Sequence, residues 1–417
     1  MKNSCNIAPI NLVINKNKQK EMKKTLLSLV VIISLIGVFT SCNKIGKEGM
    51  TVDYLPFVID DELCLVDSDL KPILQGEFKY MGPVINGVFF ASDDEENISL
   101  YKLEKGKPVQ IKDCEKLKSV GLMSEGIIPV VKEGERITYV DKDGKTKFTL
   151  TPHKGREIRE VSPTFIGGKA KITAAPKENN WNEKEGVINT TGKVIVEPIY
   201  SDISLHKDFI LAFKVTETEK ADEYGYPEFT RTYSTLLLDN NGKKIKEFKD
   251  RENGFSGDAY SLAEGTFLLK DKETRYYLYD KSGNELKKFS EKEIPTFVFD
   301  DYYVYKDREK GKYGIKDLKT KEQLMRAKYG VMIPVDNNTF VVTTGEESKW
   351  KLVTNKDEEK LSFDGKYDII FPLGFMMKFI LNADVSGWDD YLVAVDDDEN
   401  IIILNKKGET IKEDEMN

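Results

Sequence analysis

The 417 residues contain two histidines, His153 and His206. A Ser-His-Asp relay, a histidine general base or a multi-histidine zinc site each needs imidazoles gathered with partners. These two lie in separate stretches of the chain, and each reads as a loop residue. Asp143-Gly144-Lys145-Thr146 ends like a phosphate-binding loop, but that loop also needs a glycine five residues before Gly144. Tyr139 stands there. Carboxylates cluster at Asp93-Asp94-Glu95-Glu96, Asp300-Asp301, Asp389-Asp390 and Asp396-Asp397-Asp398-Glu399. Hard cations favour such groups, yet none of the four follows the alternating Asp-x-Asp-x-Asp-Gly spacing with a distant glutamate. They read as solvated turn tips. No catalytic residue, metal site or cofactor is assigned.

The elements around these residues repeat. Gly186-Val187-Ile188-Asn189-Thr190-Thr191-Gly192-Lys193-Val194-Ile195-Val196-Glu197-Pro198-Ile199-Tyr200-Ser201-Asp202-Ile203 runs from an apolar strand through a polar glycine turn into a β-branched strand. Similar blocks surround Gly144, Gly242, Gly283 and Gly408, with a degenerate first copy at Val66-Asp67-Ser68-Asp69-Leu70. Asx and Gly tolerate the positive φ of tight hairpin turns, and the flanking Val, Ile, Leu and Tyr suit a half-buried pleat. From Gly144 through Gly283 the turn glycines are 48, 50 and 41 residues apart. A unit of about 42 residues holds three or four short strands, the period of solenoids and propellers. The block from Gly186 to Ile203 resembles the WG repeat of bacterial proteins, and Glu125-Gly126-Ile127-Ile128-Pro129-Val130 and Glu264-Gly265-Thr266-Phe267 echo its second element. Glu185 stands where the repeat's tryptophan is expected, and Tyr313-Gly314 is the nearest substitute pair. The resemblance implies architecture and carries no catalytic residues. Strand edges must be hidden, and radial closure does so. The expected fold is all-β, a β-propeller of seven or eight blades; an open β-solenoid or two β domains is the alternative.

In such a ring, two insertions fall at one point of the unit: Ala174–Lys184 and Thr216–Arg231. Equivalent connections emerge on the same face, so Trp181, Tyr224, Tyr226 and Phe229 are expected to project together. Trp388, in Ser386-Gly387-Trp388-Asp389-Asp390-Tyr391, is a fifth candidate. Aromatic side chains on long loops mark binding surfaces; the competing reading is that these rings fold back over blade edges.

The start of the chain carries an address. Lys23 and Lys24 precede a 14-residue apolar run, Leu26 to Phe39, followed by Thr40, Ser41 and Cys42. That is the order of a secretory signal peptide, and the run is short for a membrane span. Phe39-Thr40-Ser41-Cys42 resembles the lipobox of bacterial lipoproteins, which implies diacylation of Cys42. The expected organisation is an upstream extension (1–21), a lipoprotein signal peptide (22–41), a lipidated tether (42–51) and a β-repeat domain (52–417).

Residues 1–41 hold six lysines and one glutamate, so without them the 63 basic and 71 acidic residues become 57 and 70. The resulting net charge, near −13, repels phosphate backbones, and nucleic acid is excluded as a partner. Cys64 and Cys114 either form one disulfide in an oxidising compartment or remain free thiols. The expected function is a non-enzymatic lipoprotein of the outer membrane or another envelope face, anchored through its N-terminal lipid, that docks an envelope protein or glycan. Two alternatives stand beside it. One is a carbohydrate-active enzyme with paired carboxylates about 5–10 Å apart; the other is a structural envelope component.

Overall fold

A computed structural model describes residues 50–414 except 60–61, 95–96, 179–181, 222–226, 254–258, 346–348, 364, 376–387, 389 and 397–399. Cys42, Trp181, Tyr224 and Tyr226 lie outside the described residues. Strand occupies 60% of the described residues and helix 1%, so the class is all-β.

The described strands form eight hydrogen-bonded sheets. Each contains a blade of four antiparallel strands in chain order: residues 80–110 (where the first strand is split into Tyr80–Met81 and Val84–Ile85), 117–149, 156–200, 202–249, 251–288, 293–329, 331–362 and 369–414, numbered here as blades 1 to 8. The first sheet is double. Its other half is a three-stranded arm of β1 (Val52–Ile59), β2 (Glu62–Val66) and β3 (Pro72–Gln75), joined to blade 1 where Val52 pairs with Ile85 and Tyr54 with Val84. Fourth strands are peripheral: Val109, Ile199, Ile245, Leu286 and Ile411, all on them, are five of the exposed large hydrophobics.

The middle strands read as continuous apolar runs because both of their faces are buried, one against each neighbouring blade. Within Lys184–Asn189, Ile188 packs with Tyr139 toward blade 2, while its neighbour Val187 packs with Ile210 toward blade 4. The same two-sided packing passes through Phe209 and Phe267, Leu278 and Val298, Val304 and Phe340, and Leu352 and Ile370. Leu65 of the arm meets Phe89 of blade 1. One last cluster puts Leu55, Phe57 and Cys64 of the arm together with Leu373, Trp388, Val393 and Ile403 of blade 8. The seams form a closed circuit, which settles the fold as a β-propeller against an open solenoid or two domains.

The glycine turns are the hairpins between third and fourth strands. In blade 4 the Asp239 carboxylate accepts the Asn241 and Lys243 amides, both at 2.9 Å, while Gly242 N–H donates to Asp239 C=O. Asp141, Asn189, Asp280 and Asn405 repeat that Asx turn. Gly242 is required twice over. Its φ is +80°, and a Cβ there would lie 2.1 Å from Ile195 C=O on the outer strand of blade 3. Each turn is thereby pressed against the preceding blade. Gly186 answers a different demand: a Cβ would meet Val196 C=O at 2.7 Å, where the strand partnering it bulges.

Antiparallel order gives the ring two distinct faces. First-to-second and third-to-fourth connections lie on one, the turn face; second-to-third connections lie on the other. Contacts between turns confirm the shared side: Lys281 reaches Asp208 at 3.4 Å, and Tyr302 Oη donates to Asn337 C=O. The chain enters on the turn face, because the Asn86-Gly87 turn of blade 1 holds it there. Asn86 N–H donates to Thr51 C=O at 3.2 Å and Gly87 N–H to the Asp53 carboxylate at 2.7 Å. Met50, within the stretch 42–51 expected to be a tether, is buried.

Two expectations are corrected. Trp388 is not a ligand-facing aromatic: it is 1% exposed, stacks on Phe57 at 6.5 Å and 14°, and fills the closing seam. Its connection also lies between first and second strands, on the face opposite the two insertions. Thr216–Arg231 is not an irregular loop but the far part of the strand pair Ile210–Ala221 and Pro227–Leu238. Cys64 and Cys114 are both buried and do not form a disulfide with each other. Trp388→Ala is expected to destabilise the ring by about 3–5 kcal/mol. Tyr391→Phe, which removes the 2.6 Å bond from Tyr391 Oη to Ser68 C=O, is expected to cost about 1 kcal/mol. Chemical denaturation of the two variants measures both.

Candidate functional site

Two neighbouring blades extend the face opposite the turns. In blade 3 residues 177–183 connect Lys169–Pro176 to Lys184–Asn189. In blade 4 the strands Ile210–Ala221 and Pro227–Leu238 run on past the sheet as a two-stranded ribbon. Their outer neighbours stop early. Asp202–Leu205 ends its pairing at Phe213, and Lys244–Lys249 ends its pairing at Ser234. Beyond those points, apart from the bond from Asp250 N–H to Tyr233 C=O, the ribbon strands pair only with each other among the described residues. Phe229 lies in the ribbon opposite Glu219. At the ribbon base Phe213 and Tyr233 stack at 6.0 Å and 11°, with Tyr233 40% exposed. Arg231 and Glu217 pair across the ribbon at 3.4 Å.

Beneath this face, at the seam of blades 3 and 4, sits a charged cluster. Lys171 Nζ contacts the Glu185 carboxylate at 2.9 Å, and Ile203 N–H donates to its other oxygen at 2.6 Å. Asp202, which opens blade 4 opposite Phe213, lies within hydrogen-bonding reach of Glu185. Burial pushes both carboxyls above the ordinary carboxylate range, and Lys171 only partly opposes it. Two acids held together beside one lysine bind protons more tightly than either would in water. Such contact is too close for the acid–base separation that glycoside hydrolysis needs, so this pair does not supply that chemistry. Glu185 is the residue at the tryptophan position of the repeat.

Other reactive types are absorbed by structure. Lys169 is 1% exposed, and its ammonium meets Gly167 C=O, Lys207 C=O and Asn240 Oδ1 at 2.8–2.9 Å. Burial lowers it to about 8, but three acceptors fill its three donors, making it a staple between blades. His206 is buried on Phe209, with Nε2 at 3.2 Å from Ser204 Oγ. His153 Nε2 lies 2.9 Å from Glu197 on the surface. No group of three or more His, Cys, Asp or Glu suited to a metal occurs among the described residues.

The sequence reading located the two insertions but missed Lys171, Asp202, Phe213 and Tyr233. The one available signal was Glu185, an acid in a position the repeat gives to an aromatic.

Residues 186–212 match the family model described as a WG containing repeat. The match begins in the third strand of blade 3 and ends in the second strand of blade 4, so the sequence unit straddles the seam carrying the cluster. No curated protein matches the chain. Among solved structures, BamB from Moraxella catarrhalis is 13% identical, with 80% of this chain and 84% of that one covered and a TM-score of 0.33. The C-terminal WD40 domain of Sif2 is 9% identical, with 77% and 78% covered and a TM-score of 0.32.

The charged cluster sets a pH dependence. With folded-state proton affinity raised, the native state holds more protons than the unfolded chain, so stability falls as pH rises from the ordinary carboxylate range toward neutrality. Glu185→Gln removes the Glu185 share of that slope. Its melting temperature relative to wild type is expected to be higher at about pH 8 than at about pH 5, as thermal denaturation at both pH values will show.

Proposed function

We propose that this protein is a non-enzymatic, lipid-anchored binding module of the cell envelope, which docks a protein or glycan on the ribbon face of blades 3 and 4. The observation that carries the reading is the ribbon itself. A propeller needs only short connections to close, and connections that go beyond that need are where binding residues concentrate. The stacked Phe213–Tyr233 pair gives that face an aromatic base. Trp181, Tyr224, Tyr226 and Phe229 belong in sequence to the same two connections. The lipid anchor rests on Phe39-Thr40-Ser41-Cys42 after the apolar run, and the envelope location follows from it.

The test is capture from solubilised envelope of the source cells. Trp181→Ala combined with Tyr226→Ala is expected to abolish capture while circular dichroism and the melting temperature stay those of wild type. Undiminished capture would remove the ribbon face from the account. For the anchor, Cys42→Ser is expected to shift the protein from the membrane to the soluble fraction and to end incorporation of labelled fatty acid; an unchanged distribution contradicts lipidation.

A further inference from the structure

The position of the ribbon relative to the chain's point of entry deepens that reading and rests on it. Thr51 and Asp53 are held by the turn face through Asn86 and Gly87. The ribbon leaves the opposite face. Eight Cα-to-Cα steps separate Cys42 from Met50, so an acylated Cys42 stays within about 28 Å of the turn face. The strand Ile210–Ala221, which runs from the turn face into the ribbon, is 12 residues long and spans about 40 Å. In an anchored molecule the turn face is then the one nearer the bilayer, and the ribbon end at Ala221 lies about 40 Å from that face.

The ribbon also presents backbone groups in a known order. Ser201 N–H donates to Phe213 C=O, so Phe213 points its amide groups away from the partner strand. Alternation then turns those of Val215, Glu217, Glu219 and Ala221 to the same edge, which pairs with no other strand among the described residues. On the other strand Asp250 N–H donates to Tyr233 C=O, which turns Arg231, Phe229 and Pro227 to the second edge. The two assignments agree, because Glu217 and Arg231 are direct partners and both face outward. The edges are unequal. Pro227 has no N–H and blunts the second, whereas the first offers donors at four alternate positions.

We propose that the Val215–Ala221 edge is a strand-addition site on the membrane-distal face, and that its occupant is an extended segment of a protein outside the anchoring bilayer. Main-chain bonds to alternate residues hold such a segment. A glycan offers no matching ladder, and the height of the ribbon removes it from the lipid surface.

The full-length lipidated chain tests this in two arms. In vesicles carrying a quencher on the lipid headgroup, a fluorophore at Ser282 of the turn face is expected to be quenched and one at Thr218 of the ribbon to remain bright; quenching at Thr218 overturns the orientation. Flotation of wild type with loss of flotation for Cys42→Ser, read in the same samples, reports the anchor separately. If wild type fails to float, the anchor reading falls and takes the orientation with it. In the source cells, a photo-crosslinker at Thr218 is expected to give a protein adduct that Glu217→Pro abolishes and Arg231→Pro preserves. Each proline removes one outward N–H and leaves the ladder between the ribbon strands intact. Adducts that survive both prolines, or that vanish with both while the ribbon stays folded, overturn the edge assignment. Adducts to lipid alone overturn the choice of partner.

Discussion

A ring of sheets has no stable partial form with a sealed core, so every feature of this molecule depends on the seam where the ends of the chain meet. That seam is built from unequal parts. Blade 8 is complete, whereas the arm β1–β3 has the Asx turn of a third-to-fourth hairpin at Asp67 but no first strand of its own. The gap is filled in two ways. The inner edge of β1 borrows pairing from Val84 and Ile85, and the space toward blade 8 takes the indole of Trp388 against Phe57. Tyr391 then reaches Ser68 across 323 positions of sequence. Closure consequently fixes which face receives the N-terminal segment, and with it the direction in which the opposite face looks.

Around the rest of the ring, one local device is used repeatedly. The Asx carboxylate or amide organises the turn, the glycine accepts φ near +80°, and the missing Cβ lets the turn settle on the preceding outer strand. Turn chemistry and blade packing are thus one constraint at Gly192, Gly242, Gly283 and Gly408. Buried polar groups at the seams serve the same end. Lys169 ties the start of a second strand to two turns of the next blade, while Lys171, Glu185 and Asp202 lock the base of the ribbon face.

What was legible in the sequence was local. Turn glycines and apolar runs state their own geometry, so the repeat and the closed all-β array follow from them. Trp388 was misread because an aromatic in a polar stretch looks the same whether it faces solvent or plugs a seam contributed by residues more than 300 positions away. The ribbon was misread for the opposite reason. Thr216-Glu217-Thr218-Glu219 is polar on both sides of the pleat, so strand alternation has no apolar face to reveal it. The Lys171–Glu185–Asp202 cluster is drawn from three strands in two blades, and no spacing along the chain announces it. Glu185 read as a missing tryptophan, when it is an acid gained.

The ring closure is tested most directly by native-state hydrogen exchange at the amides of β1 and of Tyr391–Val395 in blade 8. If the arm is integral, both segments open with the same free energy, that of the whole ring, and the chain entering β1 is tied to one defined face. If β1 instead exchanges by a separate low-energy opening while blade 8 stays protected, the arm is an appendage, the ring closes without it, and the opposition of chain entry and ribbon is lost.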